Sequence, residues 1–180
     1  LNEFRETLSK EKYLTFNPGQ IVGGSFVNYD ETEAKGISLG KTNIIAKRTI
    51  VTGDLRFLTE NQKIVARQKM QEIVKRNLNH TSAQIRFKDG IPSMPPTEGN
   101  RNIMKVLSQV SMDLGMGAVK EGDPGSRGAG DISYVADYLD CLDGLGASGS
   151  GAHTPTETMN IKEYPKLIKR STLLIYRLLK

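Results

Sequence analysis

The fold is decided by the stretch TENQKIVARQKMQEIVKRNLNHTSAQIRFK, residues 59–88. Thr59 stands three positions before Gln62, which is the spacing of a capping box, and the apolar residues that follow recur at helical intervals. They are Ala66, Met70, Ile73, Val74 and Leu78. This pattern predicts a helix over residues 59–78. Over residues 82–88 apolar and polar side chains alternate instead, which predicts a strand.

The residues before this stretch predict a further helix and two strands. Leu1, Phe4 and Leu8 lie at helical spacing. Strands are predicted at residues 21–29 and 43–57, with a polar loop over residues 30–41 between them. The order helix, strand, strand, helix, strand is that of a βαββαβ unit that lacks its first strand. Such a unit makes an antiparallel sheet with two helices on one face.

A domain boundary is predicted at GIPSMPPTEGN, residues 90–100, because the segment holds three prolines and two glycines. We therefore predict a first domain over residues 1–93 and a second over residues 94–180.

The second domain is predicted to consist of helices with at most two short strands. An apolar stripe indicates a helix that ends at Gly115, and Asp131 is the expected N-cap of a short helix that runs to residue 139. Pro165 opens a last helix. This arrangement is typical of the end of a larger α/β sheet.

Composition excludes several classes of protein. The chain has 180 residues and a formal net charge of +5, but its basic residues are dispersed and it has no tryptophan, so we expect no nucleic-acid partner. No apolar run approaches the roughly 20 residues that span a bilayer, so we expect no membrane partner. The single cysteine rules out an internal disulfide and leaves the compartment open between cytoplasm and bacterial periplasm.

The segment GLGASGSGAHTPTETMNI, residues 144–161, carries the best candidate for metal chemistry. Its glycines allow close approach of the backbone, and His153 enters a Thr-Pro turn that is followed by Glu157. A zinc site needs three or four protein ligands, and the chain offers only His80 and Cys141 besides its carboxylates. Either His153 is structural, or its partner ligands lie elsewhere.

Arg56 and Asn43 are candidate groups for binding a carboxylate. A planar guanidinium binds a carboxylate through two hydrogen bonds, and an amide could add a donor. The alternative for Arg56 is a solvated side chain paired with Asp54, two positions earlier on the same strand face. The alternative for Asn43 is a simple turn residue.

The loop GSRGAGD, residues 125–131, is a weaker candidate. Its backbone N–H groups precede a predicted helix and could bind an anion, although such glycines also recur in ordinary turns. Cys141 is expected to be a small buried residue, since no activating histidine lies near it in the sequence. His80 is expected to end the helix of residues 59–78 and to interact with its dipole.

Five motifs together resemble one family. Asn43-Ile44-Ile45, Gly53-Asp54-Leu55-Arg56, IPSMPPTEGN, GAGDISYVA and DGLGASGSGAHTPTETMNI are similar, in this order, to segments of the di-zinc exopeptidases and deacylases. That family includes the glutamate carboxypeptidases, acetylornithine deacetylase and succinyl-diaminopimelate desuccinylase. The resemblance extends from about residue 17 to the last residue.

The resemblance implies an α/β zinc hydrolase whose catalytic domain carries an inserted βαββαβ, ferredoxin-like lid that dimerises. It implies hydrolysis of an amide next to a free carboxylate, in a small peptide or N-acyl amino acid, with two zinc ions in the full-length enzyme. Asn43 and Arg56 would grip the substrate carboxylate, Gly128 and Gly130 would line the pocket, and His153 would ligate one zinc. Arg127 lies near a family arginine, but its spacing differs and no role is carried over.

The family's other zinc ligands and its general-base glutamate match no position in this chain. We therefore expect an incomplete lid followed by the C-terminal part of the catalytic domain, with no catalytic residue of its own and no activity in isolation. The alternative is a dimerisation or binding module without catalysis.

Overall fold

The computed structural model describes residues 1–126 and 128–180. Its helices and strands, in chain order, are α1 (Asn2–Leu8), β1 (Thr15–Gly24), β2 (Phe26–Asp30), β3 (Lys35–Leu39), β4 (Arg48–Arg56), α2 (Glu60–Lys75), α3 (Glu98–Asp113), β5 (Gly149–Ser150), β6 (Thr158–Met159) and α4 (Tyr164–Leu178). The predicted mixture of helices and antiparallel strands is confirmed. The chain divides into two compact units, Leu1–Lys88 and Asp89–Lys180. Their identity as a lid and a catalytic portion stays a prediction.

The first unit is built on the antiparallel pair of β1 and β4. The register runs from Thr15 opposite Arg56 to Gly24 opposite Arg48, and it shifts between Asn17 and Gln20. Pro18 lies in this irregularity, where its missing N–H costs the ladder nothing. Gly53 faces it so closely that a Cβ there would lie 2.0 Å from the carbonyl oxygen of Asn17. The close approach therefore requires glycine.

A second antiparallel pair, β2 with β3, corrects the predicted loop over residues 30–41. The Asp30 carboxylate accepts the backbone N–H groups of Thr32 and Glu33, which forms the turn of a hairpin. The segment is polar like a loop, but the ladder between the strands uses backbone groups. One hairpin face lies against the first pair, since the Tyr29 hydroxyl is 3.1 Å from the Thr52 hydroxyl.

The core of the first unit joins both of its helices to one face of β1 and β4. The buried residues are Phe4, Leu8, Leu14, Ala66 and Met70. Phe16 and Leu55, which lie opposite each other in the register, pack against them. Each large apolar side chain buried here contributes about 1.5–3 kcal/mol. Both helices thus pack against β1 and β4, but the strands form separate two-stranded ladders rather than one sheet, so the ferredoxin-like arrangement stays a prediction.

The helix predicted for residues 59–78 is observed as α2, which ends three residues early at Lys75. The Thr59 side chain accepts the N–H of Gln62, as expected of an N-cap. The Gln62 side-chain oxygen Oε1 accepts the backbone N–H of Leu58 rather than that of Thr59. The Gln62 Nε2 donates to the Lys12 carbonyl, which ties the helix start to the α1–β1 connection. His80 lies beyond the helix at a φ of 62°, so its expected position at the helix end was wrong.

The strand predicted over residues 82–88 is not formed, because within the described chain this segment joins no ladder. Its alternation was nevertheless informative. Ile85 and Phe87 pack against the core, and the Arg67 guanidinium lies 5.0 Å from the centre of the Phe87 ring. Side-chain burial follows the period-two pattern, whereas backbone pairing needs a partner that the pattern does not specify.

In the second unit α3 and α4 pack on each other. Val110 and Leu174 are buried. Gly115 adopts a φ of 69° and ends α3 as predicted, with the Met116 N–H returning to the Ser111 carbonyl. Arg177 of α4 binds Asp113 of α3, and this hydrogen bond, with that from Gln109, holds the pKa of the Asp113 carboxyl below its usual value.

The short helix predicted over residues 131–139 is a four-residue 3₁₀ turn, Asp131–Tyr134, followed by further turns. Its N-cap is Gly130 rather than Asp131. The glycine-rich segment forms the hairpin of β5 and β6, in which Gly149 lies opposite Met159. None of the helices in the described part of the chain is long and apolar enough to span a membrane.

Candidate functional site

Arg56 is the last residue of β4, and its side chain is held from one side by Asp54. The Arg56 Nε donates to Asp54 Oδ2 at 2.7 Å, while 72% of the Arg56 side chain and 45% of that of Asp54 are exposed. The pairing with Asp54, which the sequence offered as the alternative to a carboxylate-binding role, is present. The terminal nitrogens Nη1 and Nη2 donate to no other group among the described residues. The pair therefore leaves one edge of the guanidinium open to solvent.

Asn43 lies in an exposed turn, closed by the Ile44 N–H on the Lys41 carbonyl at 3.3 Å. β4 begins at Arg48, so the expectation that Asn43 starts this strand was wrong. The nine residues of β4 span roughly 26 Å at about 3.3 Å per residue. Asn43 precedes one end of β4 and Arg56 forms the other, so the structure does not bring these two residues of one chain together.

The glycine loop before residue 131 leads into a short 3₁₀ turn rather than a helix, so the anion site that its sequence suggested stays a prediction. Arg127 lies outside the described residues, and Gly128 has open space where a side chain would stand. A Cβ on Gly130 would lie 2.7 Å from Asp143 Oδ2. A four-residue turn offers little dipole, and a carboxylate already lies beside its first residue. That Gly128 and Gly130 line a substrate pocket stays a prediction.

His153 lies in the seven-residue loop that joins β5 to β6, and its side chain is exposed. Its φ is 65°, in the left-handed region that residues other than glycine rarely adopt. The His153 backbone N–H donates to Glu157 Oε2 at 3.3 Å. Among the described residues the imidazole donates to and accepts from nothing, so both ring nitrogens are available to a ligand.

An open cleft of about 310 Å³ lies beside the β5–β6 hairpin. It is lined by Ser148, Gly149, Ser150, Thr158, Met159 and Asn160. None of these side chains is acidic or basic. The cleft therefore supplies hydroxyl and amide groups rather than a proton donor or acceptor for catalysis.

A metal centre is not assembled by the described residues alone. No three side chains of His, Cys, Asp or Glu among them lie close enough together to hold an ion. His153 is one exposed imidazole, which fits one coordination position and leaves two or three to be filled. The residues present therefore do not fit a complete zinc site.

Cys141 is the small buried residue that the sequence predicted. Its N–H donates to the Asn100 side chain at 2.7 Å, and burial, followed by the neighbouring Asp140 carboxylate, raises the pKa of its thiol. A raised pKa reduces the thiolate fraction, so this cysteine is a poor nucleophile.

Two contacts in these regions were missed by sequence reasoning. Glu157 was noted only as an acid that follows the histidine, and its spacing of four residues from His153 was the available signal for the hydrogen bond. The approach of Asp143 to Gly130 had no such signal, because the residues lie 13 positions apart and nothing in either segment specifies the loop geometry.

Residues 7–177 match the family model described as Peptidase family M20/M25/M40. The comparisons with curated proteins and with solved structures found no match.

Proposed function

The chain belongs to peptidase family M20/M25/M40. On that premise we propose that it forms part of a zinc-dependent hydrolase that cleaves an amide bond next to a free carboxylate. The substrate would be a small peptide or an N-acyl amino acid, as for the glutamate carboxypeptidases. The observation that carries the proposal is the open Nη1–Nη2 edge of Arg56.

Arg56 is suited to bind a carboxylate end-on. Because Asp54 occupies Nε, the guanidinium is fixed in one orientation and an incoming carboxylate can take one hydrogen from each terminal nitrogen. Lysine would keep the charge but lose this paired geometry. Arg56 is thereby proposed to select substrates that end in a carboxylate.

Asn43 can share this task only across two copies of the chain. In one chain it lies before Arg48, and the length of β4 places Arg48 roughly 26 Å from Arg56, at about 3.3 Å per residue. In a homodimer, Asn43 of the partner subunit could approach the carboxylate that Arg56 holds. The proposed homodimer would thus complete the substrate site as well as stabilise the chain.

The hairpin of β2 and β3 supports such self-association. Phe26 lies opposite Leu39 in its ladder, and Ile37 shares their face. These side chains are 55%, 65% and 55% exposed, respectively. Grouped apolar side chains on an exposed strand pair favour burial against another surface. A second copy is the occupant we propose.

His153 is proposed to supply one zinc ligand, with Gly128 and Gly130 beside the bound substrate. The zinc, when bound by a complete set of ligands, would supply Lewis acidity and an activated water. Because the described residues gather no three donors, the chain alone is expected to be inactive. The same observation favours a second candidate function, a dimerisation or binding module without catalysis.

The test is binding of N-acetyl-L-glutamate to the 180-residue chain, followed by NMR at low ionic strength. Two hydrogen bonds to an exposed cation contribute about 1.4 kcal/mol together, so Arg56→Ala should weaken binding about tenfold. Arg56→Lys should lie between Arg56→Ala and the unchanged chain. Arg48→Ala, which removes an exposed arginine at the opposite end of β4, is the matched control and should change affinity less than twofold.

Equal affinity of the Arg56→Ala and Arg48→Ala variants would refute the carboxylate site and favour the binding module. Hydrolysis is assayed in parallel with added zinc. Turnover by the chain itself would contradict the expected inactivity while leaving the carboxylate site intact.

A further inference from the structure

The loop of residues 151–157 holds His153 in a backbone conformation that its sequence does not favour. Two turns follow each other in this loop, with the Thr154 N–H on the Gly151 carbonyl at 3.0 Å and the Glu157 N–H on the Thr154 carbonyl at 3.1 Å. The Thr154 hydroxyl also donates to Gly151, at 2.7 Å. His153 is the third residue of the first turn and has a φ of 65°. Such conformations persist where the surrounding contacts enforce them.

The contact that acts on His153 itself comes from Glu157. Its Oε2 accepts the His153 backbone N–H at 3.3 Å. His80, the other histidine of the sequence, provides a comparison because its φ is 62° and it is also exposed. In the part of the chain that the structure describes, the His80 N–H donates to no carboxylate.

We infer that Glu157 is a positioning residue for His153, fixing the backbone from which the imidazole projects at the tip of the hairpin. The inference rests on the proposed function, in which His153 is the group that must be presented in one orientation. A side chain that is already fixed in its binding orientation loses less conformational freedom when a metal ion binds to it. Glu157 needs to touch neither substrate nor metal for this role.

The test is amide hydrogen exchange, measured by NMR on the labelled 180-residue chain. The His153 amide should exchange several-fold more slowly than the His80 amide, relative to the rate each would have in an unstructured peptide. Glu157→Ala should remove this difference. Glu157→Gln keeps an oxygen acceptor but no charge, and it should retain most of the protection. This variant separates the hydrogen bond from the slowing that a nearby negative charge causes.

The Asn160 amide, which donates to the Ser148 carbonyl at 2.8 Å, reports whether the hairpin is intact. An unchanged His153 rate in Glu157→Ala overturns the inference. If Glu157→Ala also loses protection of the Asn160 amide, the hairpin itself is disrupted, and the Glu157→Gln variant is used to test the inference instead. Protection of His153 there supports the positioning role, and loss of it with Asn160 still protected refutes the role.

Zinc chloride alone, titrated against the His153 ring signals, tests the proposed function separately. We expect zinc to perturb the His153 ring more than the His80 ring, and Glu157→Ala to reduce this effect several-fold. Zinc that perturbs both rings equally would refute the ligand role of His153. The exchange data would then still decide whether Glu157 fixes its backbone.

Discussion

Gly53 is predicted to be the least replaceable glycine of the first unit. It lies in β4 opposite the irregularity at Pro18, just before Asp54 and Arg56. In Gly53→Ala the new methyl group would stand 2.0 Å from the Asn17 carbonyl oxygen, where Cβ contacts are ordinarily longer than 3 Å. The obstacle is backbone, so the two strands must separate by about 1 Å or more, a form of overpacking.

The expected cost follows from two opposing effects. Forced packing of this kind costs about 1–3 kcal/mol. Alanine lowers the conformational entropy of the unfolded chain and so returns about 0.4–1 kcal/mol. With the packing cost near the upper end of its range, the free energy of unfolding should fall by about 2 kcal/mol. For a unit of this size, that corresponds to a fall in melting temperature of about 8–16 °C.

The measurement is thermal and urea unfolding followed by circular dichroism, with Gly128→Ala as the control. Nothing lies within 4 Å of a Cβ at Gly128, so its replacement should change stability by less than about 0.5 kcal/mol. Because the strand irregularity precedes Arg56, Gly53→Ala should also weaken binding of N-acetyl-L-glutamate. Equal unfolding free energies for Gly53→Ala and Gly128→Ala would refute the reasoning.

Three further outcomes are expected. The pKa of Asp113 is lowered from 3.8 by its hydrogen bond from Arg177, so this contact stabilises the fold above about pH 4 and the contribution disappears as pH falls through the lowered pKa. Asp113→Asn should therefore be less stable than the unchanged chain at pH 7. This difference in the free energy of unfolding should shrink as the pH falls below about 4 in urea titrations, and a constant difference would contradict the reasoning. Cys141, with a raised thiol pKa and 4% exposure, should react with iodoacetamide at pH 8 far more slowly in the folded than in the urea-unfolded chain, and equal rates would show that it is accessible. Leu39→Lys should shift the proposed homodimer toward monomer in sedimentation velocity, whereas Ile45→Lys, which replaces a 94% exposed residue outside the hairpin, should not.

Sequence patterns succeeded where the structure depends on residues close together in the chain. The helix stripe after Thr59, the glycine that ends α3 and the pairing of Asp54 with Arg56 all depend on spacings of two to four residues. The alternation over residues 82–88 likewise predicted that Ile85 and Phe87 pack against the core, although Ala83 on the same face is exposed. These contacts repeat with the geometry of the local backbone, which the sequence specifies directly.

The failures have a common cause. The polar segment of residues 30–41 contains a strand because its backbone found a partner in β2, whereas residues 82–88 look like a strand but found none among the described residues. Asn43 was expected to act beside Arg56, yet strand length places them apart. Strand pairing and the distance between two side chains depend on where segments far apart in the sequence lie in the fold. Local sequence patterns do not specify those positions.

Sequence patterns alone therefore indicated the family, the N-cap of α2, the glycine that ends α3, and the residue types able to bind a carboxylate or a metal. Three features became visible only in the folded chain: the Arg56 guanidinium keeps one free edge, Glu157 reaches the His153 backbone, and the described residues gather no complete set of metal ligands. The chemistry of a side chain is a property of one residue and can be read from the sequence. Metal coordination and carboxylate binding depend in addition on the distances between side chains, which the fold sets.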